Sequence, residues 1–355
     1  TWGKPSTSTA GRSTKYIINH QPTFDTSPIT TEEVREYIGK TKRRKAAGPD
    51  EIPIEFSKEM ADNDDNIKRL TSELNKWWQE TEPIPEELLQ ARVVLLFKQG
   101  STKDISNYRP ISLLNTVTKR FAAILKKRIA QRIDKYLHKT QYGFRSNKST
   151  QQAIHIIRRL IDMGERKTSD KRTIREHNIQ LLTLDWEKAF DKIDQDALFE
   201  AMERMRIDPK LIRLTKQLYK NPTFKVEMGN QTSGWKTQQT GIRQGCTLSP
   251  YLFLILMTAI FHDIREDQDL DEELFEHRPP NHDFDEVLYA DDTIIFSTCT
   301  NTLQKYLHKI EDTALKYGLR LNKKKCESLN TNPQVAGKVN YKDGVRSRPK
   351  QKQNI

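Results

Sequence analysis

The sequence contains few cysteines, and their spacing excludes a fold held together by disulfides. Three are present, Cys246, Cys299 and Cys326, and they are odd in number and widely separated. Such a set forms neither a disulfide framework nor a zinc-binding pattern. We therefore expect a reducing, intracellular environment rather than secretion.

Long apolar runs are also missing from the sequence. Apolar residues make up 35% of the 355 residues, and the mean hydropathy is -0.79. The longest apolar run, Tyr251–Phe261, is too short to span a bilayer and predicts a buried helix. Thr1–Ser13 is polar and rich in Ser and Thr, so it does not resemble a signal peptide. We expect no membrane partner.

Charge is unevenly spread along the chain. The chain carries a formal net charge of +12 and has a pI of about 9.4. Residues 262–286 contain eleven acidic side chains against only Arg265 and Arg278, so the rest of the chain is more basic than the total. A strongly basic surface indicates a polyanionic partner such as nucleic acid.

Two adjacent aspartates, Asp291 and Asp292, lie between the apolar runs Val287–Ala290 and Thr293–Phe296. The pattern predicts two strands joined by a tight turn that carries the acids. Aspartate is also a good turn former, so a hairpin without chemistry is the alternative. Two neighbouring carboxylates repel each other unless a cation offsets their charge. Mg²⁺ binds through carboxylates and substrate phosphates, so we expect a third carboxylate elsewhere in the chain.

Asp185 is the best candidate for that third carboxylate. It directly follows Ile179–Leu184, an apolar stretch that predicts a buried strand. An acid at the end of a buried strand is well placed for chemistry. We expect the other nearby acids to be solvated or to cap the next helix; they are Glu187, Asp191, Asp194 and Asp196.

Candidate phosphate ligands flank a second pair of predicted strands. Val93–Phe97 predicts a buried strand leading into Lys98, and a polar loop then leads to Arg109 at the start of another apolar stretch. Both side chains can neutralise phosphate, and arginine can do so through two parallel hydrogen bonds. Lysine and arginine are also common at strand ends that bind no ligand. Further along, the glycines of Gly241–Gly245 would let the backbone approach a ligand closely.

Hydrophobic periodicity and turn residues predict the remaining elements. Helices are predicted over 30–38, 67–77, 117–133, 197–205, 251–261 and 302–317, and a further one carries Ile154, Ile157 and Leu160. Thr30-Thr31-Glu32-Glu33 is predicted to cap the first of these helices. A hairpin that turns at Gly229 and Asn230 is predicted over 224–235, and a strand over 319–322. The basic residues of 117–133 predict a helix that lies along a nucleic-acid backbone. We expect tryptophans 77 and 78 in the core, and poor order from residue 330 onward.

Six short motifs follow one another along the chain. They are Asn-Tyr-Arg-Pro-Ile-Ser at 107–112, Gln-Tyr-Gly-Phe-Arg at 141–145, Asp185 with Ala189-Phe190-Asp191, Arg-Gln-Gly-Cys-x-Leu-Ser-Pro at 243–250, Tyr-Ala-Asp-Asp at 289–292 and Gly-Leu-x-Leu-Asn-x-x-Lys at 318–325. Together, over about residues 32–328, they resemble the reverse transcriptase domain of non-long-terminal-repeat retrotransposons. Each motif alone is weak, but six in the right order are a specific signal.

The resemblance implies an α+β fold, namely a right-hand polymerase with an antiparallel palm sheet, fingers, and a thumb that is absent or truncated. It implies an N-terminal extension with fingers over 31–140 and a palm over 141–330. Residues 1–30 lack periodicity, so we expect them to be a disordered lead-in. Residues 205–240 would return to the fingers, and 331–355 would form a basic tail or the start of a truncated thumb.

The resemblance also implies roles for individual residues. Asp185 and Asp291 would bind two Mg²⁺ ions, which Mn²⁺ could replace, with Asp292 as the third acid and the carbonyl of Trp186 as a further ligand. The substrate-binding residues would be Lys98 and Arg109 for the triphosphate, Gln244 and Gly245 for nucleotide and template, Phe190 for the sugar, and Lys325 near the leaving group. Lys323 and Lys324 are equally basic neighbours of Lys325.

An aromatic at Phe190 would exclude a 2′-hydroxyl and so select deoxynucleotides, although core packing is an alternative role for this ring. The implied activity is RNA-directed DNA synthesis, with an RNA template, a DNA primer and deoxynucleoside triphosphates as partners. An intracellular ribonucleoprotein, nuclear or cytoplasmic, would be the setting. The alternatives are a repurposed reverse transcriptase fold that only binds RNA, and a relative of group II intron maturases or telomerase.

Overall fold

Two five-stranded β-sheets organise the described part of the chain, and each belongs to a separate compact unit. The computed structural model describes residues 11–165, 178–332 and 338–349. Within these ranges, the first unit comprises residues 18–134 and 199–252, and the second comprises 11–17, 135–198 and 253–349.

Helices and strands alternate irregularly along the chain, as expected for an α+β fold. The α-helices are Thr31–Lys40, Ile54–Met60, Asp64–Trp78, Thr116–Ile133, Thr150–Gly164, Ala189–Lys192, Gln195–Arg204, Pro209–Leu218, Ser249–Arg265, Gln268–Glu276 and Thr300–Lys316. The strands are β1 (Ala91–Phe97), β2 (Tyr108–Leu114), β3 (Gln180–Leu184), β4 (Thr223–Met228), β5 (Gln231–Thr232), β6 (Lys236–Thr237), β7 (Glu286–Tyr289), β8 (Asp292–Ser297), β9 (Glu327–Asn330) and β10 (Arg348–Pro349).

The sheet of the first unit has the order β2-β1-β4-β5, with β6 also paired to β4. β1 runs antiparallel to β2 and parallel to β4. The predicted hairpin turn at Gly229 and Asn230 is confirmed, because Met228 pairs with Gln231 on its two sides. The prediction of a fully buried β1 is wrong at its end, since Leu96 and Phe97 are exposed. There the ring of Phe97 lies 5.4 Å from that of Tyr108, measured between centroids.

The core of the first unit contains the two tryptophans that the sequence predicts to be buried. Trp77 and Trp78 both lie edge-on to Phe121 of the helix Thr116–Ile133. The guanidinium of Arg128 lies 4.4 Å from the centre of the Trp78 ring. The helix Thr116–Ile133 therefore buries a basic residue, Arg128, together with its apolar side chains.

The predicted nucleic-acid face of the helix Thr116–Ile133 needs correction. The basic residues that would form that face are Lys119, Arg120, Lys126, Lys127 and Arg132. Arg120 is 3% exposed and so is internal, whereas Lys127 and Arg132 are exposed. Arg128, which is not part of that face, is 2% exposed. Burial lowers the pKa of Arg120 to about 10, because the charged form loses water. Arg128 instead pairs with Glu33 at 2.6 Å. Charge periodicity alone does not distinguish a solvated arginine from one with a buried partner.

The predicted disordered lead-in over residues 1–30 is wrong for residues 18–30. Ile18, Phe24 and Ile29 are buried. Carbonyl groups of this segment also accept hydrogen bonds from the buried Arg128, including that of Pro28 at 3.2 Å. Residues 1–10 lie outside the described ranges. Tertiary contacts hold the segment 18–30 in place. Its sequence lacks the periodicity of a helix or strand, so these contacts could not be predicted from it.

The sheet of the second unit has the order β10-β9-β3-β8-β7, with β3 antiparallel to both β8 and β9. The helix Thr150–Gly164 covers one face of this sheet. Its Ile157 and Leu160 belong to a buried cluster with Leu181 of β3 and Phe296 of β8. Ile154, which the sequence placed among the apolar positions of this helix, is 46% exposed.

The helix Ser249–Arg265 confirms the prediction of a buried helix at the longest apolar run. Its residues 251–261 are all nearly inaccessible to solvent. Within the described ranges, none of the helices combines the length and apolar character needed to cross a bilayer. This helix is therefore internal because neighbouring elements pack around it.

The C-terminal strand prediction was placed too early in the chain. In the predicted strand 319–322, only Leu321 makes an isolated bridge, which is to Trp186. The strand in this region is β9, which begins five residues after the predicted strand ends and pairs with the edge of β3. The prediction of poor order after residue 330 is also wrong for residues 338–349, where Val339 and Tyr341 are buried.

Candidate active site

The three candidate aspartates converge at one end of the second unit's sheet. Leu184, the last residue of β3, pairs with Thr293 of β8, so Asp185 and Asp292 are the next residues in register. Residues opposite each other in antiparallel strands have Cα atoms about 4.5–5.5 Å apart. Asp291 lies in the two-residue turn that joins β7 to β8. Strand pairing thus brings together Asp185 and Asp292, which are more than one hundred residues apart in sequence.

The electrostatics of Asp292 show how closely the acids are grouped. Burial raises the pKa of Asp292, and the negative charges of Asp291 and Asp185 raise it further. Both neighbours therefore disfavour ionisation of Asp292. A cation held among these carboxylates would reverse that effect, and their hard oxygen donors are the ligands that Mg²⁺ prefers.

Lys325 is the basic side chain next to this cluster. Its Nζ lies 3.9 Å from Oδ2 of Asp185, and the two side chains are 60% and 38% exposed. Lys323, the alternative within the same basic run, instead pairs with Glu311 at 3.1 Å and Asp343 at 2.7 Å. Lys325, and not Lys323, therefore lies next to the aspartates, and an exposed pair of this kind contributes little to stability.

Cys326 holds the backbone of Asp185 and was missed as a site residue. The amide of Asp185 donates to Sγ of Cys326 at 3.3 Å. Its carbonyl accepts from the amide of Asn322 at 2.7 Å. Burial raises the pKa of the Cys326 thiol, which favours the protonated form. The sequence feature that could have indicated a role for Cys326 is its position directly after Lys325, at the end of the last motif.

Trp186 and Phe190 occupy the turn that follows β3. Trp186 is buried, and its indole N–H donates to Oγ1 of Thr293 at 3.2 Å. Phe190 lies on the short helix Ala189–Lys192 and stacks on Phe253, with ring centroids 5.1 Å apart and planes 9° apart. One face of the Phe190 ring is thus covered by the core.

Among the other nearby acids, Asp194 caps a helix as predicted. Its carboxylate accepts a hydrogen bond from the amide of Ala197 at 2.9 Å, at the start of the helix Gln195–Arg204. Asp191 is 4% exposed, so the expectation that it is solvated is wrong.

A second cluster, outside the motifs, contains His262, Asp263 and Glu266. Among the described residues, these offer ligand atoms that all lie within 4.8 Å of one another, a spacing that the three aspartates do not meet. Asp263 already accepts a hydrogen bond from Tyr317 at 2.6 Å, and Glu266 accepts one from Ser13 at 2.8 Å. Internal hydrogen bonds therefore account for this acidic group.

In the first unit, Lys98 and Arg109 are exposed at the same end of the β1–β2 hairpin. Arg109 pairs with Leu96, and Lys98 lies two residues beyond Leu96. Side chains two residues apart on a strand point to the same face, so this register puts both basic groups on one face. The amide of Lys98 donates to the carbonyl of Asn107 at 2.8 Å and closes the loop.

Gln244 and Gly245 lie against β2 in the first unit. The carbonyl of Gln244 accepts a hydrogen bond from the amide of Ser112 at 2.6 Å. Gly245 has a φ of +118°, and an added Cβ would lie 2.3 Å from the carbonyl oxygen of Ser112. The close approach predicted for this glycine is thus one to the protein's own backbone.

We predict that Gly245→Ala destabilises the protein by about 1–3 kcal/mol, because alanine would be strained at this φ and would collide with Ser112. Urea-induced unfolding measures this change. Gly234→Ala is the matched control, since no atom lies within 4 Å of its added Cβ. Equal unfolding midpoints for the two variants would contradict the prediction.

Comparison with known families agrees with this geometry. The family model for reverse transcriptase (RNA-dependent DNA polymerase) matches residues 98–346, which is well over half of the chain. The chain belongs to the reverse transcriptase family. Members of this family generally use divalent metal ions, in keeping with the carboxylate cluster.

The relatives of this reverse transcriptase chain come from mobile elements. It is 24% identical over 302 residues to the Pol polyprotein of retrotransposable element R2 from Nasonia vitripennis, covering 85% of this chain and 27% of that protein. It is 25% identical over 324 residues to the RNA-directed DNA polymerase from mobile element jockey of Drosophila melanogaster, covering 87% and 32%. These relatives confirm the predicted resemblance to non-long-terminal-repeat elements. The chain spans about a third or less of their length.

A solved structure of apo telomerase from Candida tropicalis is also similar. It is 17% identical to this chain with a TM-score of 0.47, and the match covers 74% of this chain and 55% of that one. The mixed α+β content of the chain agrees with its membership of the reverse transcriptase family.

Proposed function

We propose that this chain is an RNA-directed DNA polymerase that extends a DNA primer on an RNA template, using deoxynucleoside triphosphates. The observation that carries the proposal is the register of β3 and β8, which aligns Asp185 with Asp292, beside Asp291 in the adjoining turn. Membership of the reverse transcriptase family supports the same reaction. We further propose an intracellular ribonucleoprotein, nuclear or cytoplasmic, as its setting.

Asp185 and Asp291 would hold two Mg²⁺ ions, or Mn²⁺ in their place, with Asp292 as the third acid and the Trp186 carbonyl as a further ligand. The raised pKa of Asp292 supports this assignment, because the cluster concentrates negative charge that a cation would offset. When bound, such ions stabilise the attacking and leaving oxygens of a nucleotidyl transfer. The protein's own part is to hold the acids at the ends of paired strands.

The division into two units supports a polymerase architecture of palm and fingers. The second unit, with its antiparallel sheet and the aspartates, would be the palm, and the first unit would be the fingers. The boundaries would then be about residue 135 and the segment 199–252, rather than 140 and 205–240.

Basic side chains would bind the triphosphate. Lys98 and Arg109, on one face of the hairpin, suit phosphate oxygens, and arginine can bind two of them at once. Gln244 and Gly245 would contact nucleotide and template. Lys325, at 3.9 Å from Asp185, would act near the leaving group.

Phe190 would select deoxynucleotides by closing the space that a 2′-hydroxyl needs. We predict that Phe190→Val lowers the preference for deoxy- over ribonucleotides by about 10–200-fold, the range expected for a steric pocket of this size. The ratio of kcat/KM for the two sugars in single-nucleotide incorporation measures it. Phe190→Tyr keeps the ring and should keep the preference, whereas unchanged discrimination in Phe190→Val would assign the ring to core packing alone.

Primer extension on an RNA template with Mg²⁺ tests the proposed function. We expect product from the unaltered chain and none from Asp291→Asn. Binding of the primer–template without product in either protein would overturn the enzymatic proposal. That outcome would favour the alternative of a reverse transcriptase fold that only binds RNA.

A further inference from the structure

The turn that carries the aspartates is in an unfavourable conformation at Ala290. This residue has a φ of +57°, in the left-handed region, and it is the first of the two residues between Tyr289 and Asp292. Glycine is the usual residue at such a position, because a Cβ is disfavoured there. A strained turn persists only where surrounding contacts hold it. The geometry of Asp291 and Asp292 therefore depends on what holds Ala290.

The side chain of Gln141 makes the contacts that hold it. Its Nε2 donates to the carbonyl of Ala290 at 3.2 Å, and its Oε1 accepts from the amide of Ala290 at 2.9 Å. Oε1 also accepts from the amide of Gly143 at 2.8 Å. Gln141 is 1% exposed. The orientation of the carboxamide is unambiguous, because the flipped form would set its NH₂ group against two backbone N–H groups.

The backbone around Gln141 fits the same turn. The amide of Tyr142 donates to the carbonyl of Leu288 at 2.8 Å, and the amide of Leu288 donates to the carbonyl of Thr140 at 3.0 Å. At Gly143, an added Cβ would lie 2.3 Å from the nitrogen of Ala290. Residues 140–143 therefore form a fitted support along β7 and the turn.

We infer that Gln141 is a positioning residue for catalysis, acting through the backbone of Ala290. Its carboxamide satisfies both polar backbone groups of Ala290 and so keeps the turn in the conformation that directs Asp291 and Asp292. Gly143 is required because no side chain fits between the support and the turn. The inference rests on the proposed function for its catalytic consequence, but not for the contact itself.

The test uses the full chain with Gln141→Met, which keeps the length of the side chain and removes its hydrogen bonds. The first readout is hydrogen exchange at the Ala290 amide, which should be at least about tenfold faster than in the parent. The second is single-nucleotide incorporation, where kcat should fall about 100-fold while KM for the nucleotide changes little, since a displacement near 1 Å has this effect. Gln141→Glu keeps the acceptor bonds and should give intermediate values in both measurements.

Ser149→Ala is the matched control for destabilisation of the same region. Ser149 caps the helix Thr150–Gly164, and its loss should lower the unfolding temperature without changing exchange at Ala290 or kcat. Unchanged exchange at Ala290 in both Gln141 variants would overturn the inference, and so would faster exchange with an unchanged kcat. A parent chain without polymerase activity would instead remove the proposed function, while the exchange result would still decide whether Gln141 holds the turn.

Discussion

Asp185→Asn and Asp291→Asn should each lower the rate of primer extension by at least about 1,000-fold. A metal ion at a transferring phosphate contributes several kcal/mol to transition-state stabilisation, and about 4 kcal/mol corresponds to this factor. Single-turnover incorporation with saturating nucleotide and Mg²⁺ measures the chemical step. Asparagine keeps the shape of the side chain and removes one of the charges that would hold the cation.

Asp196→Asn is the matched control for this experiment. It makes the same change at an exposed acid in the first turn of the helix Gln195–Arg204, and the rate should be unaltered. Without divalent ions, the Asp185 and Asp291 variants should unfold at the same temperature as the parent or higher, because each relieves the repulsion that raises the pKa of Asp292. Activity retained by either variant would contradict the assignment.

Arg265→Met should destabilise the protein by about 3–5 kcal/mol, because it removes a cation that two buried carboxylates share. Arg265 lies 2.8 Å from Asp285 and 2.7 Å from Glu286, and both acids are about 1% exposed. Urea-induced unfolding at neutral pH measures the loss. Lys309→Met removes a partly exposed pair with Asp267, at 2.7 Å, and should cost less than about 1 kcal/mol.

The pH dependence of Arg265→Met follows from Glu286. Burial alone would raise the pKa of Glu286, but hydrogen bonding and charge from His138, with the charge of Arg265, hold it well below its usual value of 4.5. A carboxylate with a depressed pKa stabilises the fold above the unfolded value and loses that contribution as the pH falls. The parent should therefore lose stability below about pH 4.5. The Arg265→Met variant should lose less stability, because the pKa of its Glu286 is less depressed. The difference in unfolding free energy between the parent and the variant should therefore narrow as the pH falls. A constant difference from pH 7 to pH 3 would contradict this.

The acidic segment 262–286 thereby has a structural explanation that composition did not provide. Asp285 pairs with both Arg265 and Arg278, and Glu286 also accepts a hydrogen bond from Tyr306 at 2.5 Å. Glu286 is the first residue of β7, the strand that leads into the aspartate turn. The internal ion pairs therefore anchor the far end of that strand.

The convergence of the aspartates could be predicted because its signals are local. Asp185 follows an apolar stretch, and Asp291 and Asp292 lie between two apolar runs, so both patterns mark strand ends. The order of the motifs then indicates that these strand ends lie together. The same logic found the β4–β5 turn and the helix cap at Thr30, where the capping box with Glu33 is present. Each of these features depends on neighbours in sequence.

The remaining features depend on contacts between distant segments, which the sequence pattern does not contain. The role of Gln141 arises from its side chain meeting a backbone 149 residues away. Residues 18–30 are ordered without periodicity, since buried Arg128 and Trp78 bind their carbonyl groups. β9 contains too few apolar residues for its sequence to predict a strand. It is a strand because it pairs with β3.

The most direct test of the central claim is anomalous scattering from crystals of this chain soaked in Mn²⁺. We expect a peak within about 2.5 Å of carboxylate oxygens from both Asp185 and Asp291, and none there in Asp185→Asn. A parent crystal with Mn²⁺ bound only elsewhere, or with Asp185 directed away from Asp291, would contradict the account.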